Sequence, residues 1–311
     1  MISKDRKKKK QKAADPKTGI CALLGVEGSF AKSHLIPQAL TGTEVPGERF
    51  IETGIGFRPI RRFTSWYDHQ LVIRAGEQIL SEIDTHGIAE LRKHKLVWSG
   101  WIKDKQLVTH DYVVQPDVET GLGVRLIENI DIQKLRLFFL SLLWRALTTK
   151  IKEFAHLENI GVNLQTLGEL LVRKAPSPAN YHPIVLIQID SRGFTHNHTP
   201  TIQKVEFPFE DGVRKASYYR FYMQGIVAHI YPEGCNDLFS TAPMSFIGGA
   251  EKLWVFTRRF EKSKQYVEAC EVMEDSARRW PGTTSLTADL PSTEVVGEPE
   301  DPHHYIPAGP K

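Results

Sequence analysis

The chain has 311 residues, of which 41% are hydrophobic and 25% charged, an ordinary globular usage that excludes collagen, coiled coil and global disorder. The net charge of +3 hides a polarity, because residues 1–17 hold eight Lys/Arg against two Asp while residues 281–311 hold one Lys against five acids. Three cysteines, Cys21, Cys235 and Cys270, lie far apart with no CxxC pair, so neither a disulfide framework nor an all-cysteine zinc site follows.

The run Lys7-Lys8-Lys9-Lys10, flanked by Lys4, Arg6 and Lys12, has no apolar area to bury and predicts a mobile basic arm over residues 1–17. It reads as a solubilising tail, as a nuclear-localisation segment, or as a phosphate-binding arm whose attraction is independent of base sequence and sensitive to salt. No apolar segment follows it, so no secretory signal is expected and the cytoplasm is the default location. The most apolar run, Leu137 to Trp144, is interrupted by Ser141 and stopped by Arg145. It falls short of the roughly 18 residues that a membrane span needs, so no membrane partner is expected.

After the arm, Gly19 to Gly25 reads as a turn, followed by Ser33-His34-Leu35-Ile36-Pro37 and a small-residue loop through Gly47. Residues 49 to 66 interleave Arg49, Arg58, Arg61 and Arg62 with Phe50, Phe57, Phe63 and Trp66. In such a segment the arginines can hold phosphates while aromatics stack on bases; alternatively the aromatics are core and the arginines solvated. Leu71-Val72-Ile73 predicts a short extended piece. From Gly76 onward, Ile79, Leu80, Ile83, Ile88 and Leu91 predict a helix that Gly87 kinks or ends. Residues 96 to 114, around Trp98, Trp101, Val108 and Tyr112, predict strands and turns.

A second unit then opens with the strongest helix of the chain, from about Asp131 to His156 with Asp131 as its cap. Leu135, Phe138, Phe139, Leu142, Leu143 and Trp144 wrap more than one of its faces, which predicts a buried central helix. A helix over Leu164–Val172 and a proline loop at 175–178 lead into β-type runs at Pro183–Ile189, Thr201–Phe207, Tyr218–Tyr231 and Leu253–Phe256. These runs are expected to form an antiparallel sheet against the long helix. His196-Asn197-His198 sets two imidazoles at strand spacing, which reads as a metal pair or, with no third ligand nearby, as a polar loop. A last helix, Glu261 to Trp280, ends at Pro281, and the acidic Pro/Ser/Thr-rich remainder predicts a disordered tail. The expected organisation is therefore α+β: an arm at 1–17, a module at 18–115, a helix-plus-sheet domain at 116–280 and a tail at 281–311.

Four pieces stand in order in the first unit: Cys21-Ala22-Leu23-Leu24-Gly25, Ser33-His34-Leu35-Ile36-Pro37, Trp66-Tyr67-Asp68 and Leu71-Val72-Ile73-Arg74-Ala75-Gly76-Glu77. Together they resemble the zinc-knuckle variety of the HNH, or His-Me finger, nucleases, whose members carry CxxC, (S/D)HxIP and LLCxxC(E/H) elements on a ββα module. The resemblance spans about residues 21 to 95. It implies that His34 is the general base, that Asp68 orients it, and that Glu77 and Ser33 are the metal ligands, Ser33 standing where many relatives have Asp. A histidine suits the first role because its unperturbed pKa of roughly 6.5 leaves much of it neutral at cellular pH. A carboxylate suits Mg²⁺ (or Mn²⁺), which neutralises charge on a scissile phosphate. Asp84, seven positions after Glu77, shares its helix face about 10 Å further along, too far to share an ion directly. Of the four knuckle cysteines only Cys21 is present. Leu24, Ile73 and Gly76 stand at the other three positions, so no structural zinc is expected and apolar packing is expected to take its place.

Three readings follow. The first is a magnesium-dependent nuclease acting on nucleic acid, DNA rather than RNA, in a setting such as bacterial defence or a mobile element. In it Arg49, Arg58, Arg61, Arg62 and the lysine arm hold the backbone. The second is a catalytically silent derivative that binds nucleic acid or protein through the same surface. The third is an α+β protein whose C-terminal domain is an interaction module for a protein partner. No GxGxxG, P-loop or GxSxG stands in residues 160–280 to name a cofactor there.

Overall fold

The structure is a computed structural model that describes residues 17–43, 49–55, 57–209, 212–240 and 242–279. The lysine arm and the acidic tail lie outside these residues. The fold is α+β, with four α-helices among the described residues.

Short strands open the chain: β1 (Thr18–Ile20), β2 (Glu27–Ser29) and β3 (Ser33–His34). They are followed by β4 (Phe50–Gly54), β5 (Phe57–Arg62) and β6 (Tyr67–Asp68), then by helix α1 (Arg74–Lys93). β3 pairs antiparallel with β6, setting Ser33 opposite Asp68 and His34 opposite Tyr67. The same two stretches stay together on both sides of that pair. Leu35 N–H donates to Trp66 O, Ala31 N–H to Val72 O, and Phe30 bridges Ile73. Leu71-Val72-Ile73 is thus extended, as its composition predicts, and runs directly into α1.

α1 passes Gly87 without a break. A Cβ at Gly87 would sit 2.3 Å from Phe138 Cβ of α2 (Ile132–Thr148), so the glycine serves the close approach of two helices and not a kink. α2 begins where expected, with Asp131 Oδ1 accepting from Lys134 N–H at 3.0 Å. It ends at Thr148, earlier than the predicted His156, because Thr149 turns extended and a short 3₁₀ turn at Lys152–Phe154 follows. Twelve consecutive residues of α2, Leu135 to Ala146, are buried, which makes it the central helix. α3 (Leu164–Arg173) packs beside it.

The large sheet has seven strands in the order β11-β12-β13-β9-β14-β8-β7. Its members are β7 (Tyr112–Val114), β8 (Gly123–Ile127), β9 (Ile184–Ile189), β11 (Thr201–Phe209), β12 (Gly212–Met223), β13 (Ile226–Ile230) and β14 (Leu253–Arg258). The expected antiparallel sheet is corrected to a mixed one, since β14 runs parallel to β9. Both faces are covered. Ile184 and Leu186 of β9 join the core under α2, whereas Val185 and Ile187 join a second core with Trp98, Tyr222 and Phe260. A strand buried on both faces reads as one apolar run, as this one does.

The run Tyr218–Tyr231 is a hairpin and not one strand. Gln224 and Gly225 both have positive φ, the conformation of a tight primed turn, and a Cβ on Gly225 would meet the Trp98 ring at 2.2 Å.

A smaller sheet has the order β10-β4-β5, with β10 (His196–His198) parallel to β4. The His196–His198 segment is therefore a buried strand and not a polar loop. The His196 ring stacks on Tyr222 at 4.7 Å, and its nitrogens lie 2.9 Å from Phe194 O and 2.8 Å from Gln265 Nε2 of α4 (Lys264–Arg279). Burial pushes the His196 pKa down to about 4, so it is a neutral structural imidazole. The strand β10 also ties the second half of the chain to β4 and β5 of the first. No helix among the described residues is long and apolar enough to cross a membrane.

Candidate active site around Ser33, His34 and Glu77

The extended pair and the start of α1 bring Ser33 to Glu77, while the ring of His34, the next residue of β3, meets Thr64 and Tyr67. Ser33 is fully buried at β3, while His34 and Glu77 are half-buried. The Ser33 hydroxyl acts on Glu77 and favours its ionised form. Ser33 Oγ and Glu77 Oε2 are both buried atoms. Burial is the main influence on Glu77 and raises its pKa, against the opposing pull of Ser33 and Arg145.

Arg145 of α2 is the residue that sequence reasoning missed. Its side chain is 1% exposed and reaches across the gap between α2, α1 and β3. It donates to His34 O at 3.1 Å, to Asp84 Oδ1 at 2.6 Å, to Ser141 Oγ at 3.2 Å and to Leu80 O at 3.5 Å. One cation therefore fixes the backbone of the motif histidine and neutralises a carboxylate of α1. Asp84, expected to lie too far along the helix to share an ion with Glu77, is the partner of this arginine. Burial raises the Asp84 pKa and Arg145 pulls it down. The only sequence signal for Arg145 is a charge that interrupts the apolar run of α2.

His34 Nε2 lies 3.1 Å from Thr64 Oγ1, and its ring meets Tyr67 edge-on at 6.1 Å. Burial, then the nearby Lys32 and Arg145, lower its pKa, so the imidazole is neutral at pH 7. Asp68 does not supply the hydrogen bond to His34 that the motif reading expects. Its Oδ1 accepts from Gln70 N–H at 2.7 Å and its Oδ2 from the Thr149 hydroxyl at 2.6 Å, which anchors the end of α2 to β6. The observed side-chain partner of His34 is Thr64.

The residues at the knuckle positions pack as an apolar cluster. Cys21 is a free, fully buried thiol in the same core as Ile73, with Leu24 against it, and a Cβ on Gly76 would sit 3.0 Å from Cys21 Sγ.

Among the described residues there is no group of three or more His, Cys, Asp or Glu placed to hold a metal ion. Ser33 and Glu77 offer two hard oxygens, one anionic, both buried, and hard oxygens are the donor type that magnesium prefers.

The arginines of the first unit are exposed along β5, Arg61 on the opposite face of the strand from Arg62. Arg58, Arg61 and Arg62 are exposed there, Arg49 lies 4.7 Å over the Phe63 ring, and Lys152 lies 5.8 Å from the Phe57 ring. Trp66 belongs to the core, packed edge-on to Phe154 at 5.7 Å, whereas Phe63 is exposed. No protein-family model matches the chain, and no curated protein or solved structure matches it.

Proposed function

We propose that the chain is a metal-dependent nuclease of the His-Me finger type, hydrolysing phosphodiester bonds in nucleic acid. The observation that supports this most is the meeting of Ser33 Oγ and Glu77 Oε2, two buried oxygens, with His34 the next residue after Ser33. A buried carboxylate is costly unless it is completed by a hydrogen bond or a cation. Glu77 and Ser33 would hold magnesium, which when bound stabilises charge on the scissile phosphate.

The chain's own residues do the rest. Neutral His34 accepts the proton of the attacking water, with Thr64 fixing its ring at Nε2. Arg145 holds His34 in register through its carbonyl and is a positioning residue. Arg49, Arg58, Arg61 and Arg62, with Lys7–Lys10 of the arm, hold the substrate backbone without reading its sequence.

A second reading is a silent nucleic-acid-binding derivative, and Arg145 favours it. A guanidinium that acts on both Glu77 and Asp84 already supplies the positive charge that a metal would bring. The two readings part on one experiment. Supercoiled plasmid is incubated with the full chain in Mg²⁺, Mn²⁺ or EDTA, beside His34→Ala and Glu77→Gln. The nuclease reading predicts metal-dependent nicking lost in both variants. Salt-sensitive binding with no nicking in any metal supports the silent module instead.

A further inference from the structure

Strand β4 lies between β10 and β5, so its backbone is paired on both sides and its side chains alone face what is above and below. Glu52 in its centre is 6% exposed, with Arg62 Nε 4.0 Å from its carboxylate. Burial, reinforced by Glu153 and opposed by Arg62, pushes its pKa up to about 7. A carboxylate held this way is expensive unless a ligand or cation completes it.

In front of Glu52 lies a cavity of about 250 Å³. Its floor is Glu52, Gly54 and Thr199, its flank includes Trp66 and Phe57, and Arg58, Arg62 and Lys152 stand at its rim. Thr199 is 2% exposed and its hydroxyl oxygen has no hydrogen-bond partner. Gly54 leaves that hydroxyl uncovered, because a Cβ there would sit 2.9 Å from Thr199 Oγ1. The cavity thus presents an acceptor and an unused hydroxyl at the bottom, aromatic groups at the side and, towards the mouth, three cations with one carboxylate, Glu153, beside Lys152.

A ligand matching this order is planar, carries hydrogen-bond donors on its inner edge and a negative charge at its outer end. We propose that the cavity binds one nucleotide, with the base edge turned in to Glu52 and Thr199 and the phosphate turned out to Arg58, Arg62 and Lys152. Guanine fits best, since it presents two adjacent N–H donors to the two oxygens of one carboxylate. The volume is below the roughly 300–1,000 Å³ of pockets that enclose drug-sized ligands, so it suits a single base and not a stacked run. The nucleotide is either free or an unpaired one within a strand. The inference shares Arg58 and Arg62 with the proposed nuclease but uses neither His34 nor Glu77, so it stands or falls without cleavage.

The test is calorimetric titration of the full chain at pH 8 with GMP, AMP, CMP and guanosine. Two strands of equal length join them, one of thymidines with a central guanine and one of thymidines alone. GMP is expected to bind at least tenfold more tightly than AMP or CMP. Glu52→Gln, a neutral side chain of the same shape, is expected to lose that preference while remaining folded. Gly54→Ala, which fills the cradle, should weaken GMP by a similar factor, and Arg58→Ala should weaken GMP but not guanosine. A guanine-bearing strand that binds more tightly than GMP and than the thymidine strand identifies the ligand as a nucleotide in a chain. GMP binding as tight as the strand identifies a free nucleotide. Equal affinity for the three nucleotides, no binding of GMP at millimolar concentration, or an unchanged GMP affinity in folded Glu52→Gln overturns the proposal.

Discussion

Two regions of the molecule hold a buried carboxylate whose pKa is raised by burial, and they neutralise it differently. At Glu77 the cation is internal. Arg145 is 1% exposed, comes from the central helix and is clamped by His34 O, Asp84, Ser141 and Leu80 O. At Glu52 the cations are peripheral: the Arg62 side chain is 51% exposed, Arg58 and Lys152 are exposed, and a cavity separates the carboxylate from solvent. A fixed internal charge serves the fold first and sets the electrostatics of whatever chemistry takes place beside it. Exposed charges around a cavity contribute less to the fold and are open to a ligand of the kind proposed. The pair therefore contrasts a buried charge built into the fold with charges at the surface.

The comparison can be broken at several points. The largest effect is expected for His34→Ala in the nicking assay, a loss of about 10²–10⁴-fold with the far-ultraviolet circular dichroism unchanged, since a general base contributes on that order. Because burial, Lys32 and Arg145 lower the His34 pKa, cleavage should persist as pH falls to about 6.5, the ordinary imidazole value, and decline only below it. An acid limb above that value would place a different group in the role.

Arg145→Met should lower the unfolding free energy by about 3–5 kcal/mol, because it leaves Asp84 charged and unpaired inside the protein. Urea denaturation measures it, and Arg145→Met with Asp84→Leu should recover most of the loss. A single-variant cost as small as that of a surface ion pair, below about 1 kcal/mol, would remove Arg145 from its structural role.

Glu52 gives a smaller effect with a definite sign. Its folded pKa of about 7 exceeds the usual unfolded value near 4.5, so the folded state binds the proton more tightly. Stability is then lost as pH rises through that window, by on the order of 3 kcal/mol in total. Glu52→Gln lacks this loss, so its melting temperature relative to wild type should rise from pH 4.5 to 7 and level off above 8. A constant difference across that range would show that Glu52 is an ordinary solvated carboxylate.

The smallest effects are expected at two buried hydroxyls. Thr199→Val removes a buried polar atom without a partner and should raise stability by up to about 1 kcal/mol in chemical denaturation, while Ser33→Ala also removes a group that favours ionised Glu77 and should leave stability nearly unchanged. Destabilisation by either would mean that its hydroxyl is satisfied within the fold and is not held for a ligand.

Local chemistry made much of this legible in sequence. Asp131 announced the start of α2, and the largely apolar content of Leu135–Ala146 announced its burial, because both signals sit within a few residues of their effect. The meeting of Ser33 with Glu77 follows the order of the motif pieces. What escaped is long-range. Nothing near His196 says that it will pair with β4, and Asp68 gave no sign that Thr149 would take its oxygen. Gly225 was a visible turn residue, yet the strong β character on both sides concealed the hairpin. The cavity at Glu52 draws its walls from residues 52–66, 152–153 and 199, three stretches that only the folded chain brings together.

The most direct test of the central claim, that Ser33 and Glu77 form a ligand site facing a cation, is a Mn²⁺ titration of the full chain followed by loss of the free-ion electron paramagnetic resonance signal. The account predicts one ion bound per chain, lost in Glu77→Gln and retained in Glu52→Gln. No binding by the wild type, or binding that survives Glu77→Gln, would contradict it.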